Sequence, residues 1–201
     1  NMTSGSTYVV TAFASGNNSI GTPTFTIPGS PTPTLITTNS YSNQNNCNDS
    51  SNCYQWTWWF NANTTSSTAT VKLTLTGSPT GAVADVIALS GNNTSTPVVQ
   101  SSTASACNSN QCNTKTTTVS ANLVSTPASG DITLQILGSD DTIGTSPTWS
   151  TLNSNLYSRS AASASLNVNQ ASPAQQNETT SASGFSGSKD WGTTALEIGV
   201  S

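Results

Sequence analysis

Apolar and polar residues alternate along this chain in short runs separated by turn-formers, and nowhere is a helical period sustained. The strongest run is Tyr54-Gln55-Trp56-Thr57-Trp58-Trp59-Phe60, in which Tyr54, Trp56, Trp58 and Phe60 recur at period two and share one face of a strand. Aromatic side chains bury large areas, so a row of this kind is expected to nucleate a core. Its competing use is a platform for sugar rings. Ala69–Thr76 is the cleanest amphipathic strand: Ala69, Val71, Leu73 and Leu75 face inward while Thr70, Lys72, Thr74 and Thr76 face water. Gly77-Ser78-Pro79-Thr80-Gly81 turns the chain into Ala82–Leu89, and Ser90-Gly91-Asn92-Asn93 ends that strand. Thr22–Ile27, Leu35-Ile36, Val98-Val99, Thr116–Val119, Ile132–Leu137, Trp149–Leu152, Tyr157–Ala161, Leu166–Val168 and Trp191–Val200 continue the series. Short strands at this spacing predict an all-β fold, a jelly-roll-like antiparallel β-sandwich.

The opening run differs from the others. Ser6–Ala14 lies between Gly5 and the turn-forming Gly16-Asn17-Asn18 and is apolar on both faces: Tyr8, Val10, Ala12 and Ala14 alternate with Val9 and Phe13. Such a strand needs cover on both sides. It is either a strand of its own domain or an arm that completes another subunit's sheet, with Tyr8, Val9, Val10, Thr11, Ala12, Phe13 and Ala14 as the contact. The second reading divides the chain into an arm, residues 1–15, and a sandwich domain, residues 16–201.

Composition narrows the classes. Ser and Thr supply 70 of the 201 residues, only 6% are charged, and there is no histidine. The net charge of −4 and the scatter of Lys72, Lys115, Arg159 and Lys189 argue against a nucleic-acid partner. No apolar stretch approaches the ~18 residues of a membrane span. The chain starts at Asn rather than Met, so a secretory leader is expected to have been removed. Cys47 and Cys53, and Cys107 and Cys112, lie in Asn/Ser-rich stretches at spacings wider than most zinc ligands use, which favours disulfides and an oxidising compartment. Four cysteines allow three pairings; two local loops are the expected ones. Asn1, Asn17, Asn48, Asn63, Asn92, Asn93 and Asn177 head N-x-Ser/Thr triplets. Chance alone gives about seven or eight in this composition, so N-glycosylation is expected from the compartment rather than from the number. Asn92 and Asn93 overlap and cannot both be occupied.

No cofactor is expected. Without histidine the commonest general base and metal ligand is missing, and no nucleophile elbow, phosphate loop or dinucleotide fingerprint occurs. Asp140-Asp141 reads as a turn rather than a calcium site or a catalytic dyad. Asp85 and Glu197 lie inside predicted strands and need partners if they face inward; Lys72 beside either one is a conceivable crosslink. The secreted glutamic peptidases are similar in size and composition, and Gln55 with Glu197 (or Glu178) would be their water-activating pair.

Asp85-Val86-Ile87-Ala88-Leu89-Ser90-Gly91, Thr96-Pro97-Val98-Val99-Gln100-Ser101-Ser102 and Trp191-Gly192-Thr193-Thr194-Ala195-Leu196-Glu197-Ile198 together resemble extracellular jelly-roll modules, over roughly residues 7–200. With the Ser/Thr/Asn content and the sequons, the chain resembles the subunits of archaeal thread filaments. That resemblance implies a glycosylated, non-enzymatic β-sandwich on the cell surface, linked to identical subunits by donation of its N-terminal strand, here Tyr8–Ala14, for adhesion or biofilm formation. The alternative is a monomeric adhesin stacking surface glycans on Trp56, Trp58, Trp59 or Trp149.

Overall fold

A computed structural model describes residues 1–16, 20–40, 52–107, 118–140, 148–149, 154–161, 164–172, 174–177, 179–181 and 190–201. Among them every regular element is a strand: β1 (Thr7–Gly16), β2 (Gly21–Thr26), β3 (Thr34–Ser40), β4 (Asn52–Asn61), β5 (Lys72–Thr76), β6 (Gly81–Ala88), β7 (Val98–Cys107), β8 (Thr118–Ser120), β9 (Ile132–Ser139), β10 (Thr148–Trp149), β11 (Ser154–Ala161), β12 (Ala164–Ala171), β13 (Thr179–Ser181) and β14 (Asp190–Ile198). The all-β antiparallel sandwich expected from the sequence is what the chain forms.

A four-stranded sheet, β3-β4-β1-β6, faces a five-stranded sheet, β11-β12-β9-β14-β7. Between them lies a core of Val9, Phe13, Cys53, Val83, Leu89, Leu134, Ile136, Leu166, Val168, Leu196 and Ile198. Each sheet is also covered on its outer side, which is why the alternation rule alone does not describe it. The β2-β5 ribbon lies over the outer face of the four-stranded sheet and closes a second core with Tyr8, Val10, Ala12, Ala14, Trp56, Trp58 and Phe60. Behind the five-stranded sheet, Ala195 packs against Ala121 and Leu123, and β8 of the small β10-β13-β8 sheet touches β14.

The aromatic row therefore stacks inside the protein. Trp56 and Trp58 lie 6.4 Å apart at a shallow angle, Tyr8 stacks on Phe60 at 5.4 Å, and Phe25 meets Trp58 edge-on at 4.7 Å. The β5 alternation holds as read: Val71, Leu73 and Leu75 pack into this core while Lys72, Thr74 and Thr76 are exposed. Strand β5 itself begins only at Lys72.

Candidate functional site

The most constrained feature of the molecule is the slot that holds β1. All ten residues of the strand are buried. One backbone edge pairs with β4 along its whole length, from Thr7↔Asn61 to Gly16↔Asn52. The other pairs with β6 from Tyr8↔Ala88 to Ser15↔Gly81. Opposed residues of antiparallel strands point to the same side, so this register sorts the strand's two faces. Tyr8, Val10, Ala12 and Ala14 join Phe60, Trp58, Trp56 and Tyr54 under the β2-β5 ribbon. Val9 and Phe13 enter the core between the sheets. Both covers that the two-faced pattern demanded are supplied by the chain's own body.

Phe13 has a seat that no hydrophobic pattern reveals. A Cβ placed on Gly138 of β9 would lie 2.5 Å from Phe13 Cδ2 and 3.3 Å from Gln55 Oε1, so the ring occupies the space that any larger residue would fill. The start of β1 is fastened by a polar chain: Asn92 Nδ2 donates to Thr7 Oγ1 at 3.0 Å, Thr7 Oγ1 donates to Asn61 Oδ1 at 2.6 Å, and Asn61 Nδ2 donates to the Thr94 carbonyl at 2.8 Å. Ahead of β1, Met2 is buried and exchanges backbone hydrogen bonds with Ser66, while Gly5 and Ser6 bond Ala62. Residues 1–15 are thus hydrogen-bonded into the body of the sandwich in this structure.

Other residues singled out from the sequence fare differently. Trp56 and Trp58 are buried and cannot serve as a sugar platform; Trp59 points to the opposite face and packs half-buried against the core between the sheets, and the Trp149 side chain lies outside the described residues. Gln55 donates to the Ile136 carbonyl at 3.1 Å and to Thr194 Oγ1 at 3.3 Å, between the two sheets. Glu197, three residues past Thr194, turns to the other face of β14, where it accepts from Gln100 Nε2 and from the Ala128 N–H. A sheet separates the two side chains nominated as a peptidase pair, and Glu178 lies outside the described residues. Lys72 is exposed on β5 over the outer face of the four-stranded sheet, whereas Asp85 lies opposite Thr11, so no Lys72 crosslink to Asp85 or Glu197 is laid out. Asp140 is buried and Asp141 lies outside the described residues. Among the described residues no three His, Cys, Asp or Glu side chains converge to hold a metal.

Cys53 is disulfide-bonded within the main core. Cys47 and Cys112 lie outside the described residues, as does the Cys107 side chain. Of the sequon residues, Asn1, Asn63 and Asn177 are exposed, and Asn17 and Asn48 lie outside the described residues. The two residues of the overlapping pair differ in their surroundings. Asn92 is buried with its amide nitrogen committed to Thr7, whereas Asn93 accepts from the Ser95 and Thr96 N–H groups through Oδ1, in a local turn. No family model, curated protein or solved structure matches this chain.

Proposed function

We propose that this chain is a structural subunit of an extracellular, N-glycosylated surface filament that assembles from identical copies, with exchange of β1 as one contact between neighbours. The observation that carries the reading is the β1 slot. Strand β1 is an interior strand of its sheet, paired along both backbone edges, and it runs on toward β2 through Gly16. A second copy's residues 7–16 would meet the same two ladders in the same registers, the same Gly138 seat and the same aromatic cover. The form seen here, with β1 in its own slot, is the closed counterpart of that exchange. A bonded cysteine supports an oxidising compartment. The exposed Asn1, Asn63 and Asn177, with the turn residue Asn93, offer glycan positions. The sugar-binding alternative keeps only Trp59 and Trp149.

A cross-strand disulfide tests the exchange. Ala12 and Ala84 are direct partners in the β1/β6 ladder, and directly opposed Cα atoms lie about 4.5–5.5 Å apart, within disulfide reach. The expected outcome is filaments from the wild-type chain in negative-stain images, lost in oxidised A12C/A84C and kept in each single variant. Wild-type filaments that survive the lock would exclude exchange of β1.

A further inference from the structure

Exchange of β1 ties neighbours together at one pole. The strand leaves its slot at Gly16, and the body resumes at Ile20, beside the Thr76 end of β5. Those four residue steps reach at most about 14 Å. Through so short a tether, exchange closes readily into a reciprocal pair, so a filament needs a second contact elsewhere.

The two flanks of the sandwich have the properties of that contact. One flank carries the edge strands β3 and β7, which touch each other; the other carries β6 and β11. Soluble proteins blunt such edges with lysines, prolines or very short strands. Here the four edges run seven to ten residues, contain no proline, and carry only Asp85 and Arg159 as charges. Six large hydrophobics are exposed among the described residues, and four stand on these edges: Leu35 at 47%, Val99 at 57%, Val86 at 39% and Leu156 at 44%. A fifth, Val200, helps line a cleft of about 410 Å³ that opens on the second flank between the consecutive residues Asp85–Leu89 and the side chains of Leu134, Leu156 and Ile198.

We infer that these flanks are the two halves of one interface between copies of this chain, β3 of one subunit adding to β6 of the next. This goes beyond the exchange of β1 and does not require β1 to leave its slot. The strand directions fit: β3, β4, β1 and β6 alternate, so β3 of a following copy in the same orientation meets β6 antiparallel. The faces fit as well. Leu35 pairs with Trp58 and Val86 with Val10, which puts both on the outer face of that sheet, and joining the edges makes them neighbours. The β7 edge meets the β11 edge alongside, bringing Val99 and Leu156 to the same seam. With strands of about 23–34 Å and sheets about 10 Å apart, each flank measures about 230–340 Å² between the two sheet planes. The two together bury about 500–700 Å², the size of a weak, reversible contact. Because the halves differ, the contact does not close on itself and propagates.

The test places a lysine guard on each flank separately, as Val86→Lys and Leu35→Lys. Retention of the wild-type melting temperature shows folding. With β1 held in its slot by oxidised A12C/A84C, sedimentation is expected to give concentration-dependent oligomers of the parent, monomer for each variant alone, and a heterodimer that grows no further when V86K and L35K are mixed. Either locked variant dimerising alone would mean like-to-like pairing and would overturn the inference. Polymer that persists in both variants without the lock but disappears in oxidised A12C/A84C would overturn the flank contact and leave strand exchange standing. A wild-type chain that stays monomeric at all concentrations would sink both.

Discussion

At the scale of single residues, the fit between Phe13 and Gly138 sets the sharpest expectation. Phe13→Ala removes a fully buried ring from the core between the sheets and is expected to cost about 3–5 kcal/mol in urea unfolding. Gly138→Ala drives a methyl into the ring's space and is expected to cost about 1–3 kcal/mol. In the Phe13→Ala background that second cost should largely vanish, since the clash partner is gone. Additive losses from the two changes would contradict the packing described. Asn92 and Asn93 give a second residue-scale outcome: peptide mass spectrometry of secreted material should find glycan on Asn93 and none on Asn92, whose nitrogen already serves Thr7.

At the scale of elements, Glu197 acts as a clamp. It receives Gln100 of β7 and the N–H of Ala128, while Gln100 holds Ser125 through both ends of its amide. Glu197→Ala leaves the Ala128 N–H without its acceptor, while Gln100 keeps Ser125, and is expected to cost about 1–3 kcal/mol, with faster hydrogen exchange at Ala128. Elements with strong side-chain signals were legible in the sequence. The Tyr54–Phe60 period, the Ala69–Leu75 alternation and the two-faced Tyr8–Ala14 run all lie in strands or in core-facing positions where the pattern puts them. Strand β7 was legible only at Val98-Val99, because Gln100–Ala106 is a Ser/Ala run held by its ladder to β14 and not by its own hydrophobicity. Gln135, Asn167, Asn169 and Thr193 are polar side chains on the outer face of the five-stranded sheet, yet they are buried. The outer face of the five-stranded sheet is covered by other parts of the chain, and a strand's own alternation carries no record of what will lie over it. Edge position is equally invisible: nothing in Ala82–Leu89 says which of its two backbone edges stays open.

At the scale of the whole molecule, scarcity of ionisable groups sets the response to acid. Eight carboxylates and no histidine leave few proton-linked routes to unfolding. Calorimetry is therefore expected to show only a shallow fall in melting temperature from pH 7 to pH 3; a steep drop would show that the few buried carboxylates dominate stability. The same low charge leaves the surface without the electrostatic guards that keep most sandwiches apart, which is why the flanks, and not a pocket, are the part of the surface with the most to explain.

One consequence concerns time. Thr11 and its partner Asp85 are 74 positions apart, and the strand that must wait is the one made first. At about 5–20 residues per second of synthesis, β6 follows β1 by roughly 4–15 s. Every nascent chain passes through an interval in which its opening segment is complete and its berth is not. Afterwards both ladders must break before the strand can leave. For the strand exchange proposed above, that interval is the one in which the opening segment is free to meet another molecule without first breaking a ladder.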